Sequence, residues 1–108
     1  MARTGSKSAQ CATKCMYVVL QYLDEHGGFG MRKDIEHYVS THVSFTYWES
    51  EPNGPYTHWQ QAMRLGARAF EKAGYIERNG EIWTLTPDGK EVYDMGESAM
   101  PEVIDSVW

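Results

Sequence analysis

A capped amphipathic helix followed at once by a β-hairpin constrains this fold more than any other feature of the sequence. Thr57 and Gln60 fit a capping box, in which the threonine caps the helix and the glutamine reaches back. The helical pattern runs to Gly74, a residue that suits a helix end. Two strand-like runs then flank Asn79-Gly80, a pair that favours the tight turn of a hairpin. We therefore expect a helix over 57–73 that leads into a two-stranded hairpin.

The two sides of this helix differ in chemistry on a helical wheel of about 100° per residue. An apolar arc predicts the buried side, and it holds Leu65, Ala69, Ala62, Ala73, Gly66, Trp59, Phe70 and Met63. A polar arc predicts the solvent side, and it holds Gln60, Glu71, Arg64, Arg68, Gln61 and Lys72.

The rest of the chain contains helical patterns, one aromatic loop and an acidic end. Gly27-Gly28 ends the first helix, and Thr86 with Pro87 starts the last one. The expected order is a flexible N-terminus over 1–10, helices at about 11–26 and 32–43, an aromatic loop over 44–56, the helix over 57–73, the hairpin, a short helix over 86–93, and an acidic tail over 95–108.

Length and composition favour one ordinary globular domain. The chain has 108 residues, 42% of them hydrophobic, and no run of 18 apolar residues that predicts a membrane span. Its first ten residues lack the apolar core of a secretory signal. The two cysteines and four histidines show no metal-ligand spacing and no disulfide framework. We therefore expect a cytoplasmic protein without a metal or cofactor.

The net charge of −5 is unevenly distributed along the chain. Residues 1–78 carry nine basic and eight acidic side chains, whereas residues 79–108 carry one basic and seven acidic side chains. Charges beyond about 8–10 Å are largely screened at physiological salt, so a basic surface can exist within this balance.

Helix, helix, capped helix and hairpin is the element order of a winged helix. The sequence therefore predicts an α+β winged helix over residues 11–94, with a three-helix core, a two-stranded antiparallel wing and a short C-terminal helix. In that architecture the third helix enters the major groove while flanking elements touch phosphates. The loop of about 13 residues before the third helix is longer than in a compact helix-turn-helix.

The sequence also resembles a known family. The stretch RLGARAFEKAGYIER over 64–78, followed by IWTLTPDGK over 82–90, is similar to the N-terminal winged-helix domain of Mrr-like restriction endonucleases. That domain typically has a helix ending L-x-x-A-G-L-[IL], a wing, and then W-x-[IL]-T-x-x-G; Phe70–Ile76 and Trp83–Gly89 correspond to these motifs. The resemblance spans roughly 12–93 and implies DNA recognition in restriction-modification and host defence, including domains that sense N6-methyladenine. Nothing here resembles the nuclease motif, so cleavage would belong to a fused or partner nuclease.

The predicted DNA contacts fall into two groups. Arginine pairs with guanine and glutamine with adenine in the major groove, so we expect the base-reading residues to be Gln60, Gln61, Arg64 and Arg68, with Thr57 at the helix N-terminus. Phosphate contacts are expected from Arg32, Lys33, Lys72 and Arg78.

The aromatic side chains near the loop admit two interpretations. Tyr47, Trp48, Tyr56 and Trp59 would stack on a base or hold its methyl group, or they would complete a small core.

No catalytic constellation is visible in the sequence, so we expect a binding protein rather than an enzyme. Double-stranded DNA is the predicted partner. Two alternatives stay open: a winged-helix module for protein–protein interaction, and a small homodimeric regulator of transcription.

Overall fold

The computed structural model describes residues 6–108, which form an α+β domain. The predictions for residues 1–5 lie outside the described part. The elements, in order, are α1 (Lys7–Glu25), β1 (Phe29–Met31), α2 (Arg32–His42), α3 (Tyr47–Ser50), β2 (Pro52–Asn53), β3 (Tyr56–Thr57), α4 (His58–Ala73), β4 (Ile76–Asn79), β5 (Ile82–Leu85), α5 (Pro87–Asp94), a 3₁₀ turn (Glu97–Ala99) and α6 (Met100–Val107).

The first helix is the centre of the domain. Its N-cap is Ser6, whose side chain accepts a hydrogen bond from the Ala9 N–H. The part of the predicted flexible segment from Lys7 onward is therefore helical, and Ala9 within it is fully buried. The helix packs against α2, α4, α5 and α6, which explains why so much of its surface is apolar.

The helices α1 and α4 approach closely at Gly66. A Cβ atom on this residue would lie 2.7 Å from Cγ of Met16, so glycine is what permits the approach. The predicted caps of α4 are confirmed: Thr57 and Gln60 form both bonds of the capping box, and Gly74 takes the left-handed conformation at the helix end.

The predicted hairpin is confirmed, but its turn lies one residue later than predicted. The two turn residues are Gly80 and Glu81, because Asn79 belongs to β4 and the positive φ is found at Gly80. Strands β4 and β5 pair antiparallel, with Asn79 opposite Ile82. Strand β1 pairs with the other edge of β5 and gives a sheet of order β1-β5-β4. One face of this sheet carries Ile76 and Trp83 into the core.

The segment 44–56 is more ordered than the predicted loop. Thr46 and Glu49 form a capping box around α3, and β2 pairs with β3 in a small ribbon. The short elements escape prediction because a single turn of helix and two-residue strands carry no periodicity.

The predicted acidic tail over 95–108 is wrong in its second half, which forms α6. Met100, Val103 and Ile104 are buried against α1 and α4. Their spacing of three and four residues is helical, but eight residues give too short a pattern to stand out beside the acidic side chains.

Candidate nucleic-acid interface

The outward face of α4 is a line of side chains spaced three and four residues apart. This outer row consists of Gln61, Leu65, Arg68 and Lys72. The opposite side, including Met63 and Phe70, is buried in the core. The prediction that Leu65 is buried is wrong, because 49% of this residue is exposed. The true outward face is therefore turned away from Gln60 and Arg64 and toward Leu65.

Side-chain contacts with Glu36 of α2 withdraw two residues of the predicted polar arc from solvent. Gln60 donates from Nε2 to Oε1 of Glu36 at 2.9 Å, and its own Oε1 accepts from the Thr57 N–H at 2.8 Å. Thr57 Oγ1 in turn accepts from the Gln60 N–H. The polar groups of Thr57 and Gln60, two of the predicted DNA contacts, are therefore engaged within the chain.

Arg64 lies beside the same carboxylate but is held less firmly. Its guanidinium is 4.0 Å from Oε2 of Glu36 and lies 4.2 Å from the centre of the Tyr56 ring, over its face. Its Nε is buried and has no hydrogen-bond partner among residues 6–108. One ion pair at the limit of contact and one unsatisfied donor make Arg64 the least satisfied of the paired arginines.

Arg32 is bound between two carboxylates. It donates to both side-chain oxygens of Glu81 at 3.0 and 3.1 Å and to Glu36 at 3.2 Å. The hydrogen bond to Glu81 raises the pKa of Arg32, and the same contact lowers the pKa of Glu81. The N-terminus of α2 is thereby tied to the hairpin turn, and the charge of Arg32 is compensated locally.

Arg78 on the hairpin is likewise paired. Its Nε and one terminal nitrogen donate to Oε1 of Glu71 at 3.1 and 2.8 Å. Glu71 lies on the predicted polar arc of α4, so this pair joins the helix to β4 and removes a free cation from the wing.

Three of the cations predicted to contact DNA stay unpaired, namely Lys33, Arg68 and Lys72. All three are exposed, and none forms an ion pair with any residue in the range 6–108. Gln61 is half-buried and donates from Nε2 to the Asn53 carbonyl oxygen at 3.2 Å, which leaves its Oε1 and one amide hydrogen. The positive potential of this surface therefore comes from fewer side chains than the sequence predicts.

The aromatic side chains do not assemble into an open cage. Trp59 is only 8% exposed and stacks on Phe45, so it belongs to the core. Trp48 stacks on His58 at 3.9 Å, and Arg64 covers one face of Tyr56. Tyr47, which is 85% exposed, is the one of the four whose ring stays largely open. For Trp59, the burial and the stacking on Phe45 agree with a role in the core and not with stacking on a base.

A shallow groove of about 320 Å³ runs beside the outer row. It lies between α4 and the end of α6 and is lined by Leu65, Arg68, Ala69, Lys72, Val107 and Trp108. Its lining combines four apolar residues with the two cations Arg68 and Lys72. Sequence reasoning missed this groove because it depends on α6 folding back; the helical spacing of Met100, Val103 and Val107 was the available signal.

The thiols are not exposed to reagents. Cys11 and Cys15 are both fully buried, and the hydrogen bond to Cys11 together with burial raises the pKa of Cys15 well above its ordinary value. Within residues 6–108 no three His, Cys, Asp or Glu side chains are arranged to hold a metal ion. No helix in the same range is long and apolar enough to cross a membrane.

Comparison with protein-family models, with curated proteins and with solved structures finds no match to this chain.

Proposed function

We propose that this chain is a winged-helix domain that binds double-stranded DNA, with α4 in the major groove. The packing of α1, α2 and α4 around one core supports this, as does the β4–β5 hairpin directly after α4. In such domains the helix before the hairpin is the reading element, and the hairpin is the wing. The ribbon and α3 fill the long connection between α2 and α4. The ribbon contacts Gln61 of the outer row, and Leu65, Arg68 and Lys72 stay exposed.

The observation that carries the proposed function is the pair of free cations on α4. Arg32, Arg64 and Arg78 lie within 4.0 Å of carboxylates of their own chain, whereas Arg68 and Lys72 have no such neighbour in the described part of the chain. Two unpaired cations on one exposed helix face are suited to an anionic partner. Arg68 would read a guanine edge, Gln61 an adenine edge, and Lys72 with Lys33 would contact phosphates.

Binding of a short labelled duplex, followed by fluorescence anisotropy over a range of salt concentrations, tests this function. Replacing Arg68 with Ala should cost about 1–3 kcal/mol of binding free energy if it makes a bidentate base contact. Lys72→Ala should weaken binding to all duplexes alike and reduce the salt slope by about 1.

Lys90→Ala is the matched control, because it removes one charge from α5 that is already paired with Asp24 and Asp94. This variant should bind DNA as the wild type does. Absence of binding by the wild type at about 50 mM salt contradicts the function, since electrostatic association is strongest at low salt.

The resemblance to Mrr-like N-terminal domains supplies the biological setting of the proposal, which is recognition of DNA in host defence. The nuclease would then be a fused or partner protein. We do not propose that the aromatic side chains recognise N6-methyladenine, because their rings are already covered. His58 stacks on Trp48, Arg64 lies over Tyr56, and Phe45 stacks on Trp59.

One observation favours the second candidate, a homodimeric regulator. Phe29, Met31 and Ile82 are exposed and project from one face of the sheet, since Met31 is opposite Ile82 in the register. A second copy would bury this apolar face. Sedimentation should then show a dimer that Phe29→Ser converts to monomer, and a monomeric wild type excludes this candidate.

A further inference from the structure

Leu65 is an apolar side chain in the middle of a face that is otherwise polar. It lies about one helical turn from both Gln61 and Arg68 in the outer row. Its exposure contrasts with Leu20 and Leu23 of α1, which are fully buried. The contribution of Leu65 to the core is therefore small, and its position places it where α4 would meet base edges.

The major groove offers one kind of apolar group on the four standard bases, the C5-methyl group of thymine. Apart from ring C–H groups, the other positions are hydrogen-bond donors and acceptors. A leucine pressed against those would desolvate them without supplying a partner, which costs free energy. Thymine is therefore the base whose edge is complementary to Leu65.

The neighbouring amide favours an A·T pair as well. Gln61 keeps its Oε1 and one Nε2 hydrogen beyond the bond to the Asn53 carbonyl oxygen. These are the acceptor and donor that pair with N6 and N7 of adenine. An adenine contact at Gln61 and a thymine contact at Leu65 would thus fall on the same or adjacent base pairs.

The groove beside Leu65 adds an apolar wall and the matching charge. Val107 and Trp108 line it with Leu65, so a methyl group placed there is shielded from water on more than one side. Arg68 and Lys72 also line it, and their charges would complement the phosphates on either side of a base. We infer that Leu65 recognises the C5-methyl group of thymine, an assignment that rests on the proposed DNA-binding function.

Replacing thymine with uracil removes this methyl group and leaves the Watson–Crick edge unchanged. Anisotropy titrations would compare an A·T-containing duplex with the same duplex in which every thymine is uracil. The wild-type protein should bind the uracil duplex about fourfold more weakly for each methyl group that Leu65 would otherwise cover. Leu65→Ala should bind both duplexes equally, whereas Met95→Ala, which also shortens an exposed apolar side chain, should keep the difference.

Three results would overturn the inference, and they differ in what they mean for the proposed function. Equal, measurable binding of both duplexes by the wild type overturns the thymine contact and leaves DNA binding intact. A uracil effect that persists unchanged in Leu65→Ala overturns it too, because the methyl group then acts through DNA shape. Absence of binding to either duplex at about 50 mM salt overturns both the inference and the function.

Discussion

At the scale of single residues, the buried carboxylate of Glu49 shows how an ion pair organises this domain. Glu49 is 5% exposed, and its Oε1 lies 2.6 Å from Nζ of Lys14 and accepts from the Thr46 N–H at 2.8 Å. Burial raises the pKa of Glu49, but the hydrogen bonds from Lys14 and Thr46 outweigh it and the net pKa lies below the ordinary value of 4.5. This contact connects α3 to α1.

The first prediction is that Glu49 makes the domain sensitive to acid. Because the folded-state pKa is lowered, the stabilisation is complete above about pH 4.5 and is lost as the pH falls through the folded-state pKa. Glu49→Gln should lower the free energy of unfolding at pH 7 and flatten its fall in acid, as measured by urea unfolding at a series of pH values. Glu91→Gln, at an exposed site, should change neither; an acid limb unaltered by Glu49→Gln would contradict the assignment.

At the scale of elements, α5 packs against the start of the hairpin at backbone distance. A Cβ atom on Gly89 would collide with the carbonyl oxygen of Tyr75. Thr86 caps α5 and also donates from Oγ1 to the carbonyl oxygen of Gly74, so one residue joins the ends of two helices. Gly89 is thus required because α5 approaches the backbone just before β4 too closely for a Cβ atom.

The second prediction compares two glycine-to-alanine substitutions. Gly89→Ala should lower the free energy of unfolding by about 1–3 kcal/mol or more, because the obstacle is a backbone carbonyl that cannot rotate away. Gly66→Ala meets the side chain of Met16 instead and gains up to about 1 kcal/mol of helix propensity, so its net effect should be smaller. Thermal unfolding of both variants measures the difference, and equal losses would argue against the role given to the Tyr75 carbonyl.

At the scale of the whole molecule, α6 returns to the first helix and completes the core. Met100 and Ile104 are fully buried, and the end of the helix places Val107 and Trp108 beside α4. The C-terminal segment therefore contributes both to stability and to the shape of the candidate interface.

The third prediction measures that contribution to stability. Ile104→Ala should cost about 2–5 kcal/mol, a large part of the roughly 5–15 kcal/mol expected for a domain of this size. Glu102→Ala, on the exposed side of α6, should be close to neutral. A negligible loss in Ile104→Ala would show that α6 is not part of the folded core in solution.

Local patterns in the sequence were sufficient for both ends of α4, for the start of α5 and for the presence of the hairpin. The capping box at Thr57, the left-handed Gly74, the hairpin turn at Gly80 and the cap at Thr86 all depend on residues a few positions apart. Such interactions are carried by the local sequence, so they could be predicted without knowledge of the packing.

Tertiary structure alone decided which polar side chains of α4 face solvent. Gln60 meets Glu36 from 24 positions away, and Arg32 meets Glu81 from 49 positions away. A helical wheel separates apolar from polar residues but does not tell how far a neighbouring helix covers the polar arc. Glu36 of α2 therefore engages Gln60 and Arg64, and the return of α6 places Val107 and Trp108 beside an exposed Leu65. Neither outcome can be read from the local sequence, because these contacts depend on distant segments meeting in space.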